Sequence, residues 1–117
     1  MKKTSYRTGM TAEALCRWAL RFKGYRIVAS RYRSKLGEID IIAQRGCCLA
    51  LVEVKARATM DSAAEALLWN QRQRLERAAD DFLARFPRFN RHYVRFDLML
   101  VAPRRWPVHI VDAWRPQ

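Results

Sequence analysis

The sequence predicts one α/β domain, a mixed β-sheet flanked by helices. Apolar residues recur at helical spacing in two segments, near 11–24 and 61–86, and five shorter runs read as strands. Turn residues fall between these segments: Gly24, the stretch SKLG, the stretch QRG, and Pro103 with Pro107. A chain of 117 residues supports one hydrophobic core, and a 50% hydrophobic composition argues against intrinsic disorder. The whole chain, 1–117, is therefore expected to form a single domain, without repeat, linker or low-complexity tract.

The first helix is expected to start near Thr8 or Thr11 and to stop at Gly24. Leu15, Trp18, Ala19 and Phe22 form its predicted buried stripe at i, i+3, i+4 and i+7. YRIVASRYR then reads as a strand, and after SKLG come GEIDIIA and CLALVEVKA, joined by QRG. The segment DSAAEALLWNQRQRLERAADDFLARF is helical, with Ser62 and Glu65 as a capping box. Asn70 offers a second start, so a break near Trp69 is compatible with the pattern. Leu75, Ala78, Ala79, Phe82, Leu83 and Phe86 give the stripe of the later part. RFDLMLVA and PVHIVDAW complete the sheet.

The net charge of +12 is unevenly distributed. Residues 1–36 contain Lys2, Lys3, Arg7, Arg17, Arg21, Lys23, Arg26, Arg31, Arg33 and Lys35 against the single acid Glu13. A second cluster runs Arg72, Arg74, Arg77, Arg85, Arg88, Arg91 and Arg95. Such a field points to a polyanionic partner, nucleic acid ahead of a membrane surface. The longest apolar runs are too short to cross a bilayer, and the basic amino terminus lacks the apolar core of a secretory signal. A cytoplasmic protein without membrane association is expected. Cys16, Cys47 and Cys48 lack zinc-site spacing and read as reduced thiols packed as small hydrophobes. His92 and His109 are isolated in sequence. With no phosphate-cradling glycine loop and no G-x-S-x-G, a nucleotide-driven motor and a serine hydrolase are excluded.

The hairpin GEIDIIAQRGCCLALVEVK carries the chemistry. Period two puts Glu38, Asp40 and Ile42 on one face, opposite Ile39, Ile41 and Ala43; Leu49, Leu51, Glu53 and Lys55 share a face of the return strand. An Arg45-Gly46 turn sets Asp40 against Leu51, and a longer loop sets it against Glu53. Either register gathers two carboxylates and one ammonium at the far end of the hairpin. Two adjacent acids repel each other, and one lysine does not balance them. Magnesium, which takes one or two carboxylates with water and substrate phosphate, would. Those are the parts for metal-assisted phosphodiester hydrolysis. A solvated Glu-x-Lys face with an Asp capping a turn is the plainer alternative.

Asp40 followed by Glu53-Val54-Lys55 resembles the D…E-x-K core of the PD-(D/E)XK nuclease superfamily. GEIDIIAQRG and LVEVKAR, with GYRIVASRYR before and RFDLMLV after, resemble the small bacterial YraN family, which is similar to archaeal Holliday-junction resolvases. The resemblance runs from about Glu13 to Asp112. It implies a restriction-endonuclease-like three-layer core in α-β-β-β-α-β order. It also implies a Mg²⁺- or Mn²⁺-dependent endonuclease acting on DNA, at branched or damaged structures. Asp40 and Glu53 would hold the metal, with the Val54 carbonyl as an extra ligand, and Lys55 would position the attacking water. Glu13 matches an acid placed near the metal, although its spacing also suits an i,i+4 salt bridge to Arg17. Gln71 faces the site and would hydrogen-bond water or phosphate. Asp97 matches the family without a chemical role, and a structural hydrogen bond is expected for it. Gly37 is expected to permit a close approach of backbone or substrate.

Arg31, Arg33, Lys35, Arg57, Arg72 and Arg74 are the expected contacts to a nucleic-acid backbone, with DNA favoured. Resolvases often work as dimers, and the apolar stretch from Trp106 to Trp114 offers a face for a homodimer. The alternative function is a nucleic-acid-binding module of the same fold that does no hydrolysis.

Overall fold

The computed structural model describes residues 11–58 and 69–116. Among them, α1 (Ala12–Phe22) leads into β1 (Arg26–Arg33), β2 (Glu38–Arg45) and β3 (Cys48–Ala56). Helix α2 (Trp69–Arg85) and a 3-10 turn (Pro87–Phe89) precede β4 (Tyr93–Val101) and β5 (Val108–Trp114). The five strands form one sheet in sequence order, antiparallel except between β3 and β4. That parallel step needs a crossover, and α2 lies within it. The proposed Ser62–Glu65 capping box lies outside the described residues, and Asn70 falls inside α2 as described.

The sheet carries a core on each face. On one side Cys16, Ala19 and Leu20 of α1 pack on Ile41, Ala43, Ala50, Val52, Met99 and Val101. On the other, Leu75, Ala78, Ala79 and Phe82 of α2 pack on Ile42, Leu49, Leu51 and Phe96, with Phe89 and Trp114 closing the layer. Helix, mixed sheet and helix make the three layers of a restriction-endonuclease-like core.

Helix α1 starts where Thr11 Oγ1 caps the Ala14 N–H at 3.1 Å. Beyond its last turn, Gly24 adopts φ +92°, a conformation that glycine takes without strain. Its predicted stripe holds at Ala19, which is buried, and at Leu15, which packs against the core, but not at its two aromatics. Trp18 is 46% exposed and Phe22 73%, whereas Ala12, Cys16, Ala19 and Leu20 are buried. The small side chains at i, i+4 and i+7 let the helix lie close to the sheet, and the bulky aromatics turn outward. The α2 stripe stands as expected, with Leu75, Ala78, Ala79 and Phe82 buried and Leu83 and Phe86 at its edge.

The cysteines divide: Cys16 is buried, Cys48 half-buried and Cys47 exposed, so Cys47 is not the packed hydrophobe expected. Cys47 sits outside because it forms the hairpin tip with Gly46, whose φ is +60°. Arg45 pairs with Cys48 and Ile41 with Val52, so the turn lies one residue later than Arg45-Gly46. This register carries Asp40 toward Glu53, the pairing expected of a longer loop but reached here with a two-residue turn at Gly46-Cys47.

Asp97 is fully buried and satisfied on all sides. It accepts from Arg95 Nε and Nη2, both at 2.8 Å, from His109 Nε2 at 2.7 Å and from the Asp112 N–H at 2.9 Å. Burial alone would raise its pKa, but the bonds from His109 and Arg95 outweigh burial and hold it down at about 2. His109 is therefore not isolated. It binds Asp97 through Nε2 and meets Lys23 Nζ at Nδ1, 2.9 Å away. This network ties β5 to β4 and to the end of α1, and it is the structural hydrogen bond expected of Asp97.

Candidate functional site

Strict alternation along β2 fails at Asp40. Ile41 and Ala43 belong to the α1 core, and Ile39, two residues away from Ile41, belongs to the α2 core. The neighbouring strand, whose register shifts between Ile27 and Ala29, is also distorted at this rung. Ser30 pairs with Ile41 and Tyr32 with Ile39, which sets Arg31 opposite Asp40, and Arg31 holds φ +52°. A non-glycine residue in that region costs about 1–3 kcal/mol and persists only where its surroundings impose it. The kink is also where β2 stops pairing with β3, since the registered pairs end at Ile41 and Val52.

The β2–β3 gap opened there is occupied by the Asp40 carboxylate. Its Oδ2 accepts the Val54 N–H at 2.8 Å. Within one extended residue the N–H and C=O face the same side, so the Val54 carbonyl also faces the gap. Glu53 continues the Leu49–Leu51 face toward α2 and shares a hydrogen bond with Asp40. Burial, then the Glu53 charge, pushes the Asp40 carboxyl up to about 8, and burial raises Glu53 as well. The pair retains a proton where ordinary carboxylates have lost theirs. Lys55 Nζ lies 3.3 Å from Glu53 Oε2, and both side chains are largely buried.

A cleft of about 420 Å³ opens over this pair, lined by Arg33, Ser34, Gly37, Glu38, Asp40, Glu53, Gln71, Arg74 and Leu75. Gly37 is required by packing: a Cβ there would lie 2.7 Å from the Arg74 carbonyl oxygen. The β1–β2 turn thus rests directly on α2, the backbone form of the close approach expected at Gly37. Ser34 Oγ fixes this turn by accepting the N–H groups of Leu36 and Gly37, at 3.1 and 3.2 Å. Ser34, three residues before the turn glycine, was not among the expected site residues, although serine in that place is a turn signal.

The predicted residues are thus partly assembled. Asp40, Glu53 and Gln71 line one cleft, and Lys55 joins it through Glu53. Glu13 ion-pairs with Arg31 at 2.9 Å, not with Arg17 in its own helix, because the kink turns Arg31 toward α1. Its charge is still felt at Asp40 and at Cys16. The Cys16 thiol is pushed up to about 12 by burial first, then by Asp40 and Glu13, and so stays neutral beside the acids.

Of the expected backbone contacts, Arg33 and Arg74 line the cleft and are exposed, and Lys35 is exposed on the adjoining turn. Arg57 lies past the end of β3, where its N–H bonds the Val101 carbonyl at 2.9 Å. Arg72 lies over the Trp114 ring at 5.7 Å, half-buried.

The donors facing the gap are hard oxygens: two carboxylates and a backbone carbonyl. Among the described residues no cluster of three His, Cys, Asp or Glu side chains could enclose a metal. Two acids with room for water and phosphate suit magnesium or manganese, whereas zinc prefers nitrogen and sulfur.

Residues 12–101 match the family described as uncharacterised protein family UPF0102. The chain belongs to the UPF0102 family, the YraN family that its wording resembles. A UPF0102 protein of Parvibaculum lavamentivorans is 55% identical over 112 residues, covering 96% of this chain and 84% of its own length. Relatives from Chelativorans and Paramagnetospirillum magneticum are 50% and 51% identical, each covering 97% of this chain and 91% of their own. The UPF0102 match takes in α1, the kinked rung, the cleft and β4, so the residues of the site lie within the family's own span. No helix among the described residues is long and apolar enough to cross a membrane.

Proposed function

We propose that this UPF0102 protein is a metal-dependent endonuclease of the PD-(D/E)XK type that hydrolyses DNA phosphodiester bonds. The observation that carries the reading is the rung at Arg31 and Asp40. The fold accepts backbone strain there and buries two mutually repelling carboxylates beneath an open cleft with arginines at its rim. A surface built only to bind phosphate gains nothing from acids in that place.

Asp40 and Glu53 would hold Mg²⁺ or Mn²⁺, with the Val54 carbonyl beside them. The ion would offset the charge at the phosphate and make a water acidic enough to attack. The protein's own groups do the rest. The Val54 N–H fixes the Asp40 carboxylate, and Lys55 orients Glu53 and presents its ammonium to the phosphate. Gln71, on the α2 side of the cleft, supplies neutral hydrogen bonds to water or phosphate. Arg33 and Arg74 hold the flanking backbone without reading sequence. Glu13 acts at one remove: by holding Arg31, it fixes the kink that aims Asp40.

Cleavage of linear, flapped and four-way DNA in Mg²⁺, in Mn²⁺ and in EDTA tests the proposal, with Asp40→Ala purified in parallel. The expected result is metal-dependent cutting of branched DNA that Asp40→Ala lacks. Tight binding without cutting under every condition would make the chain a binding module and overturn the reading.

A further inference from the structure

Three large aromatic side chains stand in solvent at the end of α1 distant from Glu13. Trp18, Phe22 and Trp106 are 46%, 73% and 55% exposed. They form one surface, with ring centroids 6.1 Å apart from Trp18 to Phe22 and again from Phe22 to Trp106. Arg21 lies over the Trp18 ring at 5.2 Å. The sequence around the cluster is entirely cationic: residues 14–24 and 103–111 contain Arg17, Arg21, Lys23, Arg104 and Arg105 and no carboxylate. Arg104 and Arg105 are both exposed beside Trp106.

Exposed rings with a cationic rim are the elements of a stacking platform for single strands, where bases lie on aromatic faces and the rim meets phosphate. We infer that the Trp18–Phe22–Trp106 surface binds unpaired nucleobases of a single-stranded segment. A second copy of this chain fits the surface poorly. A two-fold contact would bring Arg21, Arg104 and Arg105 against their own counterparts.

The inference rests on the nuclease reading and sharpens its substrate. Glu13, beside the kinked rung, and Phe22, in the aromatic surface, lie nine positions apart on α1, roughly 14 Å along its axis. The substrate class is DNA that contains an unpaired stretch.

The test is a titration of the full chain, in EDTA, with labelled oligothymidylate and with a duplex of equal length. Trp106→Ala, Phe22→Ala and Trp106→Phe accompany the wild type, and their melting curves verify folding. Either alanine variant should weaken oligothymidylate binding about ten-fold. Trp106→Phe should retain it, and duplex affinity should be unchanged. Unaltered oligothymidylate affinity in both alanine variants overturns the inference, as does an equal loss for both DNA forms. Loss of self-association without change in DNA binding overturns it too, and makes the surface a subunit contact. Binding of duplex but not oligothymidylate defeats the platform alone. Binding of neither defeats the nucleic-acid reading along with it.

Discussion

At the residue scale, Asp40 sets the properties of the site. Its carboxyl is raised from the unfolded value near 3.9 to about 8, first by burial and then by Glu53. Across that interval the folded protein binds a proton that the unfolded chain releases, so stability falls as pH rises from about 4 to about 8. Asp40→Asn removes the titration while keeping the shape. In EDTA it should melt above the wild type near pH ~8, and the gap should close toward pH ~5, by thermal denaturation at both. A constant gap across that range would mean that Asp40 is not held protonated by its surroundings. Asp97 shows the opposite sign. With its pKa held at about 2, its contribution is present above about 4 and is lost as pH falls through 2. The sequence already offered Asp40, Glu53 and Lys55 as a group, because a strand that repeats every two residues puts them on one side. The pairing of Glu13 with Arg31 was hidden, since nothing in a strand pattern announces a left-handed residue at Arg31.

At the scale of elements, the cleft depends on how closely the β1–β2 turn rests on α2. Gly37→Ala would push a methyl group to 2.7 Å from the Arg74 carbonyl oxygen, where helix backbone cannot yield cheaply. The variant should lose about 1–3 kcal/mol in denaturant unfolding, the usual cost of overpacking. Any DNA binding should weaken with it, because Arg74 moves with α2. Stability equal to that of the wild type would show that the turn and helix are not in rigid contact. The sheet and α2 were legible because both carry strong apolar periods. Helix α1 was legible as a helix but not in its facing. The expected stripe shares Ala19 and Leu15 with the buried face, and a preference for large side chains added Trp18 and Phe22 to it in place of Ala12 and Cys16. The small-residue stripe of Ala12, Cys16 and Ala19 won because close packing on a sheet rewards small side chains.

At the scale of the whole molecule, a chain of net charge +12 buries, among its described residues, the acidic pair Asp40 and Glu53. Exposed arginines dominate the surface, while Asp97, Asp40 and Glu53 are drawn inward and held by specific partners. Asp97 is neutralised by Arg95 within the fold, so it needs nothing from outside. Among the described residues Glu53 is paired with Lys55 and Asp40 with the Val54 N–H, and the fold leaves the remaining negative charge facing the cleft. The measurement that bears most directly on the central claim is a calorimetric titration of Mn²⁺ into the wild type and Asp40→Asn, with proton release recorded. Saturable binding to the wild type with release of the proton shared by Asp40 and Glu53 is expected, and Asp40→Asn should lose both signals. Equal Mn²⁺ binding by the two proteins, or none by either, would contradict the claim.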